Sequence, residues 1–413
     1  MVTLKTSSSS ICLILVCVLM LTVQGQTNQA QDADASGISI QLANPQRTSF
    51  YRSGPDIQKG AIAAETSKLF IMKRGSYQSY GGMYLGSGPN APYLMGGDIF
   101  WPYEGVGYSD PVVSGGVIYF SLNVGDAHLF ALDARTGEGK WHSKREKGFY
   151  AAPTIAGDTM YIGADGGYFY AIDLKTVKEK WRHTRADNST VETSAVVHDG
   201  LVYYSAQGYL YALNAETGEL KWTYFTPVNH ISMITVADGA LYFVVAGYII
   251  CIDSKTGKLK WSLPIKDGLW TPLMIANGLI YFRTERGYIK TVDDKTGKLQ
   301  PNPKNDPRAG TRLAIDEQNI YFGGWSRGST YAIDAVTREE KWKFSPGVDC
   351  RAPVVGGESV YLTCQDGRLY ALDAKTGKKK WSTSAKKWPL SYPVISNDAI
   401  YFISDDGKVY IVR

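Results

Sequence analysis

The chain has 413 residues, with 44 Lys and Arg against 39 Asp and Glu, which gives a formal net charge of +5. This mixed, mildly basic balance gives no reason to expect a nucleic-acid partner. Tyrosine is abundant, with 28 residues, and apolar residues at helical spacing are almost absent. Together these features favour an all-β chain.

The first element is an export signal. Lys5 precedes an apolar run from Ile11 to Val23, and Gly25 supplies a small residue at a cleavage position. The pattern predicts a signal peptide over residues 1–25 and therefore a secreted or periplasmic protein. A membrane anchor is the alternative, but the run is short for a bilayer span.

Lipid attachment is not expected at Cys17. This cysteine follows Ile-Leu-Val in the middle of the apolar run, and Val16 is bulky where a lipobox has a small residue. Residues 26–44 are polar and predict a disordered leader. Residues 45–108 are expected to form an N-terminal extension that includes a closing strand, and residues 109–413 a repeat domain that does not span a membrane.

One sequence motif recurs along the repeat domain. It first appears as Leu129-Phe-Ala-Leu-Asp-Ala-Arg-Thr-Gly-Glu-Gly-Lys-Trp141 and returns at steps of roughly 40 residues, a period typical of β-propeller blades. Gln300 stands where one repeat lacks its tryptophan. The tryptophans that end the motif are Trp141, Trp181, Trp222, Trp261, Trp342 and Trp381.

Each repeat divides into four predicted strands. A short first strand such as Pro353-Val-Val leads through a Gly-containing turn to a second strand, and an Asp-Gly turn such as Asp366-Gly367 leads to the third. These dipeptides readily take the positive φ angles of tight hairpins. The pattern therefore predicts four-stranded antiparallel blades.

An Asp-x-x-Thr-Gly turn joins the third strand to the fourth, which carries the tryptophan. In the first repeat, Asp133 is expected to accept hydrogen bonds from the backbone that follows it, and Gly137 suits a left-handed position. Ala131 leaves room for a large neighbour such as the indole. Because a buried tryptophan removes roughly 150–250 Å² from water, the six tryptophans are predicted to dock the blades together.

The repeat count predicts eight blades. Seven repeats are followed by three more strands before the chain stops, so a fourth strand from the N-terminus is needed to close the ring. Two segments qualify: Lys68–Lys73, and Asp98–Tyr103, which is preferred because Trp101 is in register with the tryptophan series. If both segments are blade strands, the propeller would have nine blades, and this alternative is not excluded by the sequence.

The motif Ala-x-Asp-x-x-Thr-Gly-x-x-x-Trp resembles the pyrroloquinoline-quinone-type (PQQ-type) repeat of bacterial quinoprotein dehydrogenases. It also resembles the propeller of the lipoproteins that assist outer-membrane barrel assembly. The resemblance covers residues 109–413 and is specific for the fold rather than for an activity. It implies an eight-bladed β-propeller.

Three cysteines remain after signal cleavage. Cys350 begins the first strand of the seventh repeat and Cys364 ends the second, so antiparallel pairing would place them nearly opposite. A disulfide between them is possible in an oxidising compartment. Cys251 lies between two isoleucines and is expected to be a small buried apolar residue.

The sequence contains no recognised catalytic set. Its five histidines lack the close pairing of a zinc site, and neither a Gly-x-Ser-x-Gly elbow nor a phosphate-binding glycine loop occurs.

The resemblance to quinoproteins directs attention to the residues that precede each first strand, where those enzymes hold their cofactor. A planar quinone could stack on Trp270, its carboxylates could pair with Arg312 and Arg351, and Asp110 and Glu192 could bind calcium. However, the quinoprotein family typically has a disulfide between adjacent cysteines against the cofactor and long insertions that wall the site. This chain has neither, so an ordinary polar or aromatic rim is the favoured interpretation of these residues. The full set predicted to line the mouth is Asp110, Tyr150, Glu192, Trp270, Arg312, Arg351 and Tyr392.

These features favour a binding scaffold without a cofactor rather than an enzyme. The expected partner is a protein or a cell-envelope polymer that docks on one rim, where loops from all blades converge. The alternative function is a PQQ- and calcium-dependent alcohol or sugar dehydrogenase. A third is a sensor domain.

Overall fold

The computed structural model describes most of the repeat domain and three short segments before residue 109. The described residues all fall within one compact unit, Leu42–Arg413. Among them, no helix is long and apolar enough to cross a membrane. The described residues are 50–51, 62–65, 107–109, 111–124, 126–145, 147–149, 151–191, 193–228, 231, 234–269, 272–301, 309–324, 328–385, 392–396, 399–404 and 408–413.

Eight antiparallel sheets form the blades of a β-propeller, as predicted. The first strands of successive blades contact one another around a central channel, and the ring closes where Val394–Ser396 contacts Val112–Ser114. The first strands, in blade order, are Val112–Ser114, Thr154–Ala156, Val196–His198, Thr235–Ala237, Met274–Ala276, Ala314–Ile315, Val354–Gly356 and Val394–Ser396.

The second and third strands form the hairpin at the middle of each blade. The second strands are Val117–Val124, Thr159–Gly163, Leu201–Ala206, Ala240–Val245, Leu279–Arg283, Asn319–Gly323, Ser359–Thr363 and Ala399–Ser404. The third strands are Asp126–Asp133, Tyr168–Asp173, Tyr209–Asn214, Tyr248–Asp253, Ile289–Asp293, Thr330–Asp334, Arg368–Asp373 and Lys408–Val412. One 3₁₀ turn, Asp165–Gly167, precedes the third strand of blade 2.

The fourth strands form the outer edge. In blade 5 the described residues show only an isolated bridge between Val292 and Leu299 at this position. The fourth strands of the other blades, in blade order, are Gly139–Arg145, Glu179–Thr184, Leu220–Phe225, Leu259–Pro264, Glu340–Phe344, Lys379–Ser384 and, for blade 8, Ile62–Glu65.

The last blade is completed by an N-terminal strand, but not by the one that spacing favours. Ile62–Glu65 pairs antiparallel with Lys408–Val412, so the preference for Asp98–Tyr103 is wrong, and Lys68–Lys73 is not the partner either. Both of those segments lie outside the described residues. The closing strand enters the ring from the other end of the chain, so the repeat period does not fix its position.

Two further short strands extend the sheets. Gly107–Tyr108 pairs with the C-terminal end of the second strand of blade 1. Phe50–Tyr51 pairs parallel with Val354–Gly356, on the channel side of blade 7. Blade 7 therefore has an additional strand at its inner edge.

The Asp-x-x-Thr-Gly turn has the predicted local structure. The Asp133 carboxylate accepts hydrogen bonds from the backbone N–H groups of Arg135 and Thr136, both at 2.9 Å, and from the Thr136 hydroxyl. Gly137 takes a φ of +76°, which favours glycine, and donates to the Asp133 carbonyl oxygen at 2.8 Å.

Each described tryptophan lies directly across from a small residue of the third strand. Ala171 is the register partner of Trp181, for example, and the pairs Ala131–Trp141, Ala212–Trp222, Ala332–Trp342 and Ala371–Trp381 repeat this arrangement. In blade 4, Cys251 is the partner of Trp261. Cys251 is 1% exposed, and burial raises the pKa of its thiol to about 11, so it is an inert packing residue.

The tryptophans also connect neighbouring blades. The Trp181 indole N–H donates to the carbonyl oxygen of Ala215 in blade 3 at 3.1 Å, and the Tyr161 hydroxyl donates to the same oxygen at 2.8 Å. Three other junctions repeat this pair of bonds, with the acceptors Ser254, Asp294 and Ala374. Each junction thus combines burial of aromatic surface with satisfied polar groups.

Candidate functional site: the entry rim and the channel mouth

The first and third strands of each blade begin at the same end of the propeller. In blade 7, Cys350 pairs with Cys364 at the start of the first strand, and the Cys364 N–H donates to the Arg368 carbonyl oxygen at the start of the third. We call this end the entry rim. The part of the chain that precedes each first strand belongs to this end, and we call this region the mouth.

Three residues predicted to line the mouth come together. Tyr392 precedes the first strand of blade 8, and the guanidinium carbons of Arg312 and Arg351 lie 5.0 and 5.6 Å from its ring centroid. These arginines precede the first strands of blades 6 and 7. Two cations from adjacent blades therefore converge on one aromatic ring, within the range of cation–π attraction.

Burial and, to a smaller extent, a like charge disfavour the protonated form of Arg312. Burial lowers the pKa of Arg312, the Tyr392 hydroxyl opposes that effect, and the neighbouring Arg351 charge lowers it further. All three side chains are only partly buried. A bound anion would be attracted to both guanidinium groups, each of which can form paired hydrogen bonds with a carboxylate or phosphate.

A disulfide lies next to this cluster. Cys350 and Cys364 are joined as a cross-strand pair, at the last bridge of the blade before the mouth. The Arg351 N–H, one residue further along, donates to the Thr363 carbonyl oxygen at 2.9 Å. The disulfide thus connects the segment that carries Arg351 to the second strand.

Four other predicted mouth residues, Asp110, Tyr150, Glu192 and Trp270, lie outside the described residues. No group of three or more His, Cys, Asp or Glu is placed to hold a metal ion within the described part of the chain. The structure does bring two histidines together, because the rings of His128 and His142 stack across blade 1 with centroids 5.6 Å apart.

A second feature of the entry rim is an exposed aromatic patch on blades 3 and 4. Tyr209 pairs with Phe225, and Tyr248 with Pro264, where the third strand begins and the fourth ends. Phe225 is 60% exposed, Tyr248 41% and Tyr209 37%. We call these four residues the rim patch.

Aromatic rings continue from the rim patch into the propeller. The ring centroid of Tyr209 lies 4.8 Å from that of Phe225 and 6.0 Å from that of Tyr211. Tyr211 stacks on Tyr204 at 4.9 Å, and Tyr204 stacks on Phe169 in blade 2 at 4.2 Å. The patch therefore rests on a packed aromatic column, which limits the entropy that its side chains lose on binding a partner.

The rim patch lies in an uncharged part of the rim. Residues 205–211, 223–228 and 241–250 contain no Asp, Glu, Lys, Arg or His. On one side, Arg185 of blade 2 is buried against blade 3, with its guanidinium carbon 5.2 Å from the Tyr211 ring centroid, and its ion-pair partner Asp187 is 50% exposed. On the other side lies the Lys290–Asp267 ion pair. An uncharged aromatic centre with a charged border is the usual anatomy of a protein-binding surface.

The rim patch was not predicted from the sequence, although a signal was present. Tyrosine follows glycine at the start of the third strand in four successive repeats, at Tyr168, Tyr209, Tyr248 and Tyr288. A strand that begins beside a surface turn exposes its first residue. The repetition of an aromatic residue at that position could have identified this rim.

A family model described as "Outer membrane protein assembly factor BamB" matches residues 96–234, 227–324 and 285–413. Among curated proteins, a quinohemoprotein alcohol dehydrogenase (ADH IIB) of Pseudomonas putida is 27% identical over 137 residues, covering 28% of this chain and 20% of the enzyme. The match therefore spans about a fifth of that enzyme's length.

Solved structures share the fold. BamB from Moraxella catarrhalis superposes with a TM-score of 0.61 at 17% identity, covering 74% of this chain and 96% of that one. The quinohemoprotein alcohol dehydrogenase of Comamonas testosteroni gives a TM-score of 0.58 at 16% identity, with 74% of each chain covered. A computationally designed protein, Ika8, gives 0.63 at 16% identity, covering 74% of this chain and 95% of that one. With its repeats matched over three quarters of its length, the chain belongs to the family of outer membrane protein assembly factor BamB.

Proposed function

We propose that this protein is a non-catalytic binding scaffold that docks a protein partner on its entry rim. The observation that carries the proposal is the rim patch, in which Tyr209, Phe225 and Tyr248 are exposed within an uncharged region. Isolated exposed apolar residues are ordinary, but exposed aromatic residues at the same level of two adjacent blades, with charged residues beside them, are typical of interaction sites. Membership of a family described as an assembly factor supports a protein partner over a cell-envelope polymer.

The protein is expected to be secreted or periplasmic, as the N-terminal export signal predicts. A disulfide between Cys350 and Cys364 is consistent with an oxidising compartment.

Site-specific photo-crosslinking in the native host tests this function. A photoreactive residue replaces Phe225 in one variant and Val336 in a control; Val336 is 81% exposed but lies in a turn at the opposite end of the blades. The proposal predicts a discrete protein adduct at position 225 and none at 336. Adducts of equal yield at both positions, no protein adduct at 225, or an adduct at 225 only with a polymer would contradict it.

A second function, a quinone-dependent dehydrogenase, is favoured by the convergence of Arg312 and Arg351 on Tyr392. These two cations fit the carboxylates of pyrroloquinoline quinone. The residues expected to stack on the quinone and to bind calcium, Trp270, Asp110 and Glu192, lie outside the described part of the chain. Among the described residues, only those that would bind the carboxylates of the cofactor are therefore present.

Titration of the purified protein with pyrroloquinoline quinone and calcium distinguishes the two functions. A dehydrogenase predicts saturable binding, seen as a change in quinone absorbance and a higher melting temperature, together with turnover of an alcohol or sugar. An Arg312→Ala variant should then lose the binding. Absence of turnover with a saturated cofactor would leave the scaffold as the function.

A further inference from the structure

In four blades of the described part of the chain, an isolated backbone bridge precedes the first strand. In three blades the bridged pairs are Phe149–Ala164, Leu269–Thr284 and Ala309–Gly324. These pairs hold the start of the first strand by backbone geometry without a covalent link. In blade 7 the same position is occupied by the disulfide Cys350–Cys364. The fold itself therefore does not require a covalent link there.

Blade 7 is also held from the channel side. Its first strand, Val354–Gly356, pairs with Phe50–Tyr51 in addition to its own second strand. Among the described first strands, only this one has such a strand along its inner edge. Two independent features thus fix the segment that begins at Cys350.

The residue that this segment places in the mouth is Arg351. Its guanidinium lies 5.6 Å from the Tyr392 ring centroid, and that of Arg312 lies 5.0 Å from the same centroid. Two like charges at such a site repel each other, and a fixed backbone at Arg351 limits how far its guanidinium can move away from that of Arg312. A bound anion would be attracted to both cations at once.

We propose that Arg312 and Arg351 form an anion-binding site at the mouth and that the Cys350–Cys364 disulfide holds Arg351 in position for it. The ligand group is a carboxylate or phosphate, since a guanidinium binds both through paired hydrogen bonds. The group can belong to a free small anion or to an acidic side chain of a protein. Cys350 and Cys364 are positioning residues, because they act only through Arg351.

Isothermal titration calorimetry of the full mature chain at low ionic strength tests the site. The probes are citrate, inorganic phosphate, pyrroloquinoline quinone and a glutamate-rich peptide, so that free anions and acidic side chains are compared directly. The Arg312→Gln/Arg351→Gln variant should bind the preferred probe about tenfold more weakly or not at all. The control Arg368→Gln removes an arginine at the start of the third strand of blade 7 and should leave the affinity unchanged.

The disulfide is tested with the Cys350→Ser/Cys364→Ser variant and with wild type reduced by dithiothreitol. Without the disulfide the Arg351 side chain is less preorganised, so anion binding should weaken roughly threefold to tenfold. The number of anions bound per folded protein molecule should stay the same. Cys251→Ser is the control, because that thiol lies away from the mouth and opposite Trp261. An Arg351→Lys change should recover part of the affinity lost in Arg351→Gln, since the charge is retained.

Two results would overturn the proposal. If no probe binds wild type more tightly than the double arginine variant, there is no anion site at the mouth. If the double serine variant has a lower melting temperature but the same affinity, the disulfide is only structural. Neither result affects the rim patch, whose partner binding is measured with Phe225 and Tyr248 variants.

Discussion

Gly218 of blade 3 lies against the indole of Trp181 of blade 2 so closely that a β-carbon on the glycine would be 2.6 Å from the tryptophan Cδ2. The same approach recurs between Gly257 and Trp222, Gly297 and Trp261, and Gly377 and Trp342. The glycine of the Asp-x-x-Thr-Gly turn therefore has two roles. It adopts a left-handed φ, and it makes room for the tryptophan of the preceding blade.

Substitution of Gly218 separates these two roles. Gly218→Ala should destabilise the protein by about 1–3 kcal/mol more than Gly200→Ala, because Gly200 has a similar φ of +72° but a β-carbon there would meet nothing within 4 Å. Urea denaturation of both variants measures the difference. Equal losses of free energy of unfolding would show that the contact with Trp181 can relax.

Val177 occupies the turn position of Gly218 in blade 2, with a φ of +58°. A β-branched residue in this region is strained, at a cost of about 1–3 kcal/mol. We expect Val177→Gly to raise the free energy of unfolding, while Val336→Gly, at an exposed turn position, should lower it slightly. A loss of stability in Val177→Gly would mean that packing of the valine outweighs the strain.

Blade 5 lacks the tryptophan, and the next blade compensates. The guanidinium carbon of Arg338, at the turn position of Gly218, lies 5.4 Å from the ring centroid of Tyr281. In other blades the equivalent tyrosine packs on the tryptophan, as Tyr161 does on Trp181 at 5.8 Å. Arg338 is 3% exposed, so it fills the space that the indole would take.

A double-mutant cycle tests this replacement. Gln300→Trp alone should destabilise blade 5 because Arg338 occupies the site, and Arg338→Gly alone should leave a cavity. The double variant restores the arrangement of the other junctions and should be more stable than either single variant. We expect a coupling free energy of about 1–3 kcal/mol from thermal or urea unfolding, and strictly additive effects would contradict this replacement.

The turn carboxylates predict acid sensitivity. The backbone N–H of Thr136 and that of Arg135 lower the pKa of Asp133 to about 2, and the Thr337 N–H does the same for Asp334. Since the folded pKa is depressed, the stabilisation is complete above the ordinary carboxyl pKa near 4 and is lost as the pH falls towards 2.

Asn214 offers a matched control, because its side-chain oxygen accepts the same backbone hydrogen bonds without a titratable group. The Asp133→Asn/Asp334→Asn variant should therefore lose less stability than wild type between pH 4 and pH 2. Melting temperatures across this range provide the measurement. Identical acid profiles would show that these turns do not contribute to the pH dependence.

Much of the fold follows from local patterns in the sequence. The Asp-x-x-Thr-Gly turn, the small residue opposite each described tryptophan and the tight hairpins depend on residues close in the chain, and the structure shows all three. The closing strand Ile62–Glu65 did not follow from spacing, because ring closure joins distant parts of the chain. Likewise, the pairing of Arg338 with Tyr281 joins two repeats and has no local signal.

The two parts of the candidate site differ in the same way. Arg312, Arg351 and Tyr392 were predicted to line the mouth because they precede first strands, although their convergence on one ring depends on the angle between blades. The rim patch was missed because its exposure depends on how the fourth strand ends. Phe225 and Pro264 are ordinary strand residues until the register places them beside Tyr209 and Tyr248.

The docking function is tested most directly by the dissociation constant of the partner cross-linked at position 225. Docking on the entry rim predicts that Phe225→Ala/Tyr248→Ala weakens binding about 30-fold or more, as expected for a central aromatic hot spot, while Val336→Ala leaves it unchanged. An unchanged dissociation constant for the double variant, or an equal loss in Val336→Ala, would contradict the assignment of the entry rim as the docking surface.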